Sequence, residues 1–425
     1  MKLLLKLATR SAWNRRFTLG LMLLVIALSS TMLLGIERVR HELRAGFAQS
    51  VSGTDLVVGA RTSPIQLMLY AIFRIGGATN NMGWDSARTL ARNPAVAWTI
   101  PLSLGDSHRG FPVLATNGDY FRHFHYGDGH ALRLAQGRVL ADVFDTVLGA
   151  DVAQRLHYRL GDHIVLSHGM AGLGAPRLAE HADKPFVVTG ILAPTGTPVD
   201  RTVHIGLDAM QAIHLDWEGG APLPGLHIAP GLVKKFDLTP TSITAVLVGL
   251  KSRAAVFRVQ RDIADGAGFN EPLMAVLPGV ALDQLWDIVG IGENALLLVS
   301  AMVVVVGLAG LVAAILASLG ERRRELAVLR SVGARPRDIF ILLCIEGLGV
   351  MLAGVLAGVL MLSGLLVVLG PTLAAHFGIV LQAAWPTPGE LQLLAATVAA
   401  GLLASLLPGL RAYRMSLSDG LTPRI

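Results

Sequence analysis

One cysteine in 425 residues excludes a disulfide framework. Because that residue, Cys344, lies inside an apolar run, the polar part of the chain has no thiol centre either. Charge is also scarce. Only 16% of residues are Asp, Glu, Lys or Arg and the mean hydropathy is +0.56, which excludes an ordinary soluble protein and points to membrane spans. Catalytic motifs are missing as well. A phosphate-binding loop needs G-x-x-x-x-G-K-[ST], and its nearest look-alike, VGLKS (248–252), has Leu250 where the second glycine must stand. Ser167 in LSHG lacks the G-x-S-x-G setting of a nucleophile elbow. The chain therefore reads as a non-catalytic subunit.

What is present is four long apolar runs. Phe17–Ile36 is 20 uncharged residues, Asn294–Gly320 is 27, Ile339–Leu369 holds a single acid, Glu346, and Leu391–Leu410 is another 20 uncharged residues. A helix rises 1.5 Å per residue, so about 20 residues cross a bilayer core. The first run lacks an A-x-A-like cleavage site and reads as an uncleaved anchor. Basic residues set the orientation. Lys2, Lys6, Arg10, Arg15 and Arg16 precede the first span, six arginines lie in 321–338, and Arg411, Arg414 and Arg424 follow the last span. All three segments are expected on the cytoplasmic side. The expected order is a cytoplasmic N-terminus (1–16), span 1 (17–36), an outer domain with helical stalks (37–293), span 2 (294–320) and a cytoplasmic turn (321–338). Span 3 (339–369), an outer loop (370–390), span 4 (391–410) and a cytoplasmic tail (411–425) complete it. The fold class is thus a four-helix membrane protein, N-in and C-in, with a large α+β extracytoplasmic domain between helices 1 and 2. With 22 Lys and Arg against 24 Asp and Glu in 37–293, the pI of 9.8 comes from the membrane-flanking loops and indicates no nucleic-acid partner.

Within the outer domain, 54–60, 163–169, 185–192, 201–207 and 242–250 read as strands, and 63–76, 147–156, 207–217 and 252–264 as helices. The segment 193–200, APTGTPVD, reads as a loop. ERVRHELRAGF (37–47) continues the first helix outward, and 281–294 leads a helix into the second span. All 13 histidines fall in segments placed outside. HFHYGDGH carries His123, His125 and His130 with Asp128. His123 and His125 would share a face if the segment were a strand, and zinc or nickel suits such ligands. His168, Glu180, His181 and Asp183 form a second loose set. Neither matches a tight signature such as H-E-x-x-H. In the spans, Gly354 and Gly358 make a G-x-x-x-G ridge, and Ala396, Ala400 and Ala404 repeat every four residues. Glu346 is an intramembrane acid suited to snorkelling, an intersubunit hydrogen bond or a proton path.

ERRRELAVLRSVGARPRDIF (321–340) reads as a short amphipathic helix stopped at Gly333, ahead of the third span. RRRELAVLRSVGARPRDIFILLCIEGLGVMLAGVLAGVL (322–360) resembles the signature of the FtsX-like permease domain, the family of MacB-like exporters and lipoprotein-releasing permeases. GTDLVVGA, VLGADVAQRL and LGDHIVL resemble that family's periplasmic core domain more loosely. The resemblance implies a permease of the bacterial inner membrane with its large domain in the periplasm. It implies a coupling helix, Glu321–Ala334, that docks an ABC ATPase dimer. Leu326, Val328 and Leu329 would then supply apolar knobs, and Arg324, Glu325 and Arg330 the polar rim. Glu321, Gly333 and Ala334 would bound the segment. ATP and Mg are expected on that partner, with no cofactor bound directly apart from a zinc ion at the histidines. With 16 residues ahead of the first span, the ATPase is expected in a separate chain. A second permease copy or paralogue and a periplasmic binding or adaptor protein are the other expected partners. Export or extraction of a lipoprotein, lipid, peptide or drug is the leading reading. The alternatives are a signalling regulator of a cell-wall hydrolase or sensor kinase, and a component of zinc-linked transport.

Overall fold

The computed structural model describes residues 16–77, 80–169, 180–218, 221–321, 328, 330–331, 333–377 and 384–414. The chain divides into two compact units, Arg44–Ile288 and the remainder.

The first unit is built on a mixed sheet of eleven strands. In chain order these are β1 (Leu56–Ala60), β2 (Val96–His108), β3 (Phe111–Thr116), β4 (Leu134–Gly137), β5 (Asp145–Leu148) and β6 (His163–Ile164). They continue as β7 (Ser167–His168), β8 (Phe186–Leu192), β9 (Val203–Gly206), β10 (Ala245–Leu250) and β11 (Leu273–Val276). The main path runs β11-β1-β10-β2-β3-β9-β5-β8-β4, with β7 added to β2 and β6 to β8. Only β3–β9 and β5–β8 are parallel; the other pairs are antiparallel. The central strands read as unbroken apolar runs because both faces are covered. Leu56, Val58, Val113, Leu148, Val246 and Val248 pack on one side, Val57, Leu114, Val147 and Leu247 on the other. The second core also takes in Ala281 and Leu282, at the start of the helix Pro278–Glu321. Several glycines in the sheet have no room for a side chain, Gly249 among them. A Cβ at Gly249 would fall 2.1 Å from the ring of Trp98, its partner on β2.

The expected helices appear at Pro64–Ala71, Ala150–Leu156, Leu207–Ile213 and Val256–Ala264. Several sequence expectations change: the third long helix runs on to Phe377, into the expected outer loop 370–390, and Pro198–Arg201 forms a short helical turn at the end of the expected loop 193–200. The run 163–169 is two short strands, because Val165 and Leu166 separate the pairing of β6 with β8 from that of β7 with β2. Residues 147–148 belong to β5, and the helix starts only at Ala150.

The second unit holds four helices long and apolar enough to cross a membrane, over Arg16–Glu42, Pro278–Ala317, Pro336–Gly370 and Pro388–Arg411. The first runs without interruption over Arg16–Gln49 and the second over Pro278–Glu321, so both stalks expected from the sequence are helical. Met22, Ile26, Leu34, Leu311, Ile315, Leu343, Met351 and Val355 form this unit's core.

Candidate functional site

The segment linking the second and third spans is the expected docking element. Glu321 is the last residue of the second long helix. Val328 is helical and 55% exposed, an apolar side chain uncovered by the rest of the chain. Arg330 is helical and half-buried, and its carbonyl accepts the Gly333 N–H at 3.1 Å. Gly333 has φ +102°, a left-handed value that favours glycine, so the helix stops where the sequence says. Ala334 follows in the turn, and Asp338 Oδ2 accepts the Arg335 N–H at 2.8 Å as the third span begins at Pro336. Arg324, Glu325, Leu326 and Leu329 lie outside the described residues.

The glycine ridge is used within the chain. A Cβ on Gly354 would lie 2.6 Å from Ile26 Cγ2, and one on Gly358 would lie 2.7 Å from Ser30 Cβ and 2.8 Å from the Ala27 carbonyl. Thr31 donates its hydroxyl to the Gly358 carbonyl at 3.0 Å. The small residues therefore seat the third helix on the first. The fourth helix packs through other positions than the alanine repeat. Ala396 is exposed and Ala400 half-buried, while Leu394, Thr397, Gly401 and Ser405 are buried. Gly401 faces Met351, and Gly347 faces Ser405. Glu346 is half-buried beside Gly347, lining a depression with Thr18, Leu19, Met22 and Ile315.

An ion-pair clamp that the sequence did not announce joins the first and fourth helices. Arg38 donates from Nε to Glu390 Oε1 at 2.9 Å and from Nη2 to Oε2 at 2.7 Å, a two-pronged bond. The two side chains are only 7% and 2% exposed. Arg38 also reaches the Ala384 carbonyl at 3.1 Å, and Glu390 Oε2 accepts the Thr387 N–H at 2.8 Å. Thr387 Oγ1 in turn accepts the Glu390 N–H at 3.3 Å. This is a capping box, T-x-x-E, at the start of Pro388–Arg414. Beside it Arg40 bonds Glu293 at 3.0 Å and Glu37 at 3.1 Å, which ties in the second helix. The T-x-x-E spacing was the one signal available in the sequence.

The histidines divide into two arrangements. His123, His125 and His130 do not face one another. Asn117 caps a helical turn, Gly118–His123, by accepting the Asp119 N–H, so His123 ends a helix instead of sharing a strand with His125. Its ring stacks on Trp98. His125 Nδ1 donates to the His123 carbonyl at 2.7 Å. His125 pairs with Ala131 and His130 with Tyr126 in a two-strand hairpin, so the two imidazoles leave opposite faces.

The second arrangement converges. Among the described residues, Asp106, His168, His181 and His214 each offer one ligand atom, all within 4.8 Å of one another. The register of the sheet makes this happen. His168 on β7 stands directly opposite Asp106 on β2, and Ser167 is bridged on its other side by Glu180, the neighbour of His181. His214 follows the helix Leu207–Ile213. His168 Nδ1 is 3.3 Å from Asp106 Oδ1 and 3.1 Å from His214 Nε2. His214 Nε2 is 3.8 Å from Asp106 Oδ1, and His181 Nε2 is 4.0 Å from Asp106 Oδ2. Asp106 and His181 are fully buried; His168 and His214 are partly open to solvent. The Trp217 ring lies 4.0 Å from that of His181. Burial drives the His181 pKa down to about 4, against the pull of Asp106 and aided by His214, His168 and Lys184. The Asp106 carboxylate beside it raises that of His168. Of these four, the sequence offered His168 and His181 as candidates. Asp106 and His214 come from segments with no spacing signal.

A neighbouring triad, Asp183, Asp216 and His227, already surrounds a cation. The buried Lys184 ammonium bonds Asp216 and lies 3.3 Å from Asp183. Asp216 Oδ2 also accepts the Ile228 N–H at 3.0 Å.

Comparison with known proteins gives two family matches. The MacB-like periplasmic core domain matches residues 17–265, and the FtsX-like permease C-terminal family matches 297–417. The search of curated proteins returns no match. Among solved structures, the periplasmic region of MacB from Actinobacillus actinomycetemcomitans is 12% identical with a TM-score of 0.34, covering 55% of this chain and 92% of its own. The extracellular domain of the ABC-type transporter YknZ from Gram-positive bacteria is 11% identical with a TM-score of 0.30, covering 52% and 99%. With one of the two family matches spanning more than half of the sequence, this chain belongs to the MacB/FtsX-type family of ABC transporter permeases.

Proposed function

We propose that this chain is the membrane subunit of an export or extraction system that draws its energy from a separate ABC ATPase dimer. The ATPase docks on the cytoplasmic segment 321–338, with both chain ends on the same side. The outer unit lies in the periplasm of a bacterial inner-membrane complex. Nucleotide-driven closure of the ATPases pushes the docking segment, the spans shift, and the outer unit moves on an envelope substrate: a lipoprotein, lipid, peptide or drug. A second permease, identical or paralogous, and a periplasmic adaptor complete the assembly.

The observation that carries this reading is the pairing of the two matched regions in one chain whose given residues carry no G-x-x-x-x-G-K-[ST] pattern. None of its six lysines follows a glycine, so the G-K step of a phosphate-binding loop occurs nowhere in the sequence. The exposed Val328 between spans two and three supports the docking role, since a small apolar centre with a charged rim suits a modest interface. The test is affinity purification of the full chain in detergent. The wild type is expected to bring down an ABC ATPase, and Leu326→Asp with Val328→Asp and Leu329→Asp to lose it while still inserting. Retention of the ATPase by that triple variant removes the docking surface. The spans carry almost no charged or amide side chains, which favours mechanical transmission over conduction between them.

A metal-linked role is a second reading of the transported or sensed species, favoured by the convergence of Asp106, His168, His181 and His214.

A further inference from the structure

We propose that Asp106, His168, His181 and His214 form a binding site for one divalent transition-metal ion of the zinc class in the outer unit. The inference goes beyond the permease reading and stands on the outer unit's own geometry.

The first argument is distance. Zinc bound to nitrogen and oxygen ligands at about 2.0–2.1 Å sets neighbouring ligand atoms about 3.3 Å apart at the corners of a tetrahedron. The measured separations of 3.1, 3.3, 3.8 and 4.0 Å bracket that edge, and no pair exceeds 4.8 Å. Small side-chain rotations close the longer edges.

The second argument is the direction of lone pairs. His214 Nδ1 lies 2.8 Å from the Met210 carbonyl, one helical turn back. A carbonyl only accepts, so Nδ1 carries the proton and Nε2 turns a lone pair into the cluster, 3.1 Å from His168 Nδ1. A histidine whose far nitrogen is anchored on a backbone carbonyl is the usual support of a metal-ligating imidazole.

The third argument is what stays unsatisfied without an ion. Both carboxylate oxygens of Asp106 and both ring nitrogens of His181 are buried with no hydrogen-bond partner among the described residues. Buried carboxylates and imidazoles are ordinarily paired. A proton on His168 does not solve this. Its Nδ1 faces Asp106 Oδ1 and His214 Nε2 together, and one hydrogen satisfies one of those edges, leaving His181 idle. A single cation at the centre satisfies all four groups.

The donor set also selects the ion class. Three imidazoles and a carboxylate suit zinc and its first-row neighbours, and lack the oxygen-rich shell of calcium or magnesium. Four protein ligands leave no open coordination position, so the site holds or senses the ion and performs no hydrolysis. Entry is from the side of His168 and His214, whose side chains are 31% and 25% exposed. Trp217 against His181 supplies an optical reporter.

The experiment uses the full chain in detergent micelles, stripped with a chelator and titrated with zinc against a chromophoric competitor. One equivalent is expected to bind with sub-micromolar affinity and to change the tryptophan emission. Cobalt is expected to give the visible band of a four-coordinate site. Asp106→Asn, His168→Ala and His214→Ala are each expected to weaken binding by 100-fold or more. The last two positions are partly exposed, so these variants fold even if a change at the buried His181 does not. Trp217→Phe is expected to lose the emission change and keep the stoichiometry. The triple change His123→Ala, His125→Ala, His130→Ala is expected to leave binding untouched. No zinc uptake by the wild type, uptake unchanged in the His168→Ala/His214→Ala double variant, or uptake abolished by the triple variant each overturns the proposal. Loss of ATPase docking in the Val328 variant has no bearing on this readout, so failures of the two readings are separable.

Discussion

Glu390→Ala is the sharpest probe of the membrane unit. The substitution removes two charge-assisted bonds from Arg38, at 2.9 and 2.7 Å, and the bond from the Thr387 N–H at 2.8 Å. Hydrogen bonds to charged groups contribute roughly 1.5–3 kcal/mol each, and the guanidinium left behind is only 7% exposed. Breaking a buried pair from one side costs about 3–5 kcal/mol, because the surviving charge loses its counter-charge where water cannot replace it. The Ala384 carbonyl remains as one acceptor and keeps the loss toward the lower end. Removing both charges, as Arg38→Met with Glu390→Leu, is expected to recover most of the loss, since a well-packed apolar pair is often neutral relative to a buried ion pair. The assay is denaturant unfolding of the purified chain in mixed micelles, followed by circular dichroism. A loss below about 1 kcal/mol for Glu390→Ala would mean the pair behaves as a solvated surface contact, and the clamp argument would fall.

Two further outcomes are expected from the same protein. Gly358→Ala is expected to destabilise the helix bundle by about 1–3 kcal/mol in the same unfolding assay, because its Cβ meets the Ala27 carbonyl, which has no rotamer to escape into. Gly364→Ala on the same helix has nothing within 4 Å of its Cβ and is expected to be neutral or stabilising. In the outer unit, burial holds the His204 pKa down at about 3, with the Arg74 charge adding to the effect. The folded state therefore keeps His204 neutral while the unfolded chain protonates near 6.5, so its stability contribution is full above that pH and is lost as pH falls toward 3. At pH 5, 1.5 units below the unfolded value, the loss is about 2 kcal/mol at 1.36 kcal/mol per unit. Urea unfolding read by tryptophan emission at pH 7 and pH 5 tests this. His204→Gln is expected to reduce the acid sensitivity by that amount, and an unchanged pH slope refutes the assignment.

The sequence made the spans legible because twenty uncharged residues have few other solutions. It made β1 and β10 legible because strands covered on both faces are apolar throughout, and β8 and β9 legible through apolar residues at alternate positions. The longest strand, β2, carries no such mark. Pro101 sits within it, and its outer end, LSLGDSH, is polar and bulged where it meets β3. That polar end holds Asp106, so the element hardest to read as a strand is the one that brings a carboxylate to the histidines. His214 is hidden for a related reason, as it lies just past a short helix and reaches the cluster only through the path from β9. Conversely, HFHYGDGH looked like a ligand set because alternation in a strand places His123 and His125 on one face. The helical turn capped by Asn117 runs through His123 and so takes that residue out of the strand. Local spacing carries metal sites that lie on one element, and a site assembled from four chain segments has none to show.

The first helix is held to its two neighbours in unlike ways. Against the third it meets bare backbone, with Gly358 on Ser30 and Ala27 and the Thr31 hydroxyl on the Gly358 carbonyl at 3.0 Å. Against the fourth it is fixed by the two-pronged ionic bond from Arg38 to Glu390. The first junction depends on residue size and the second on charge, so added bulk at Gly358 loosens one and neutralisation at Glu390 loosens the other.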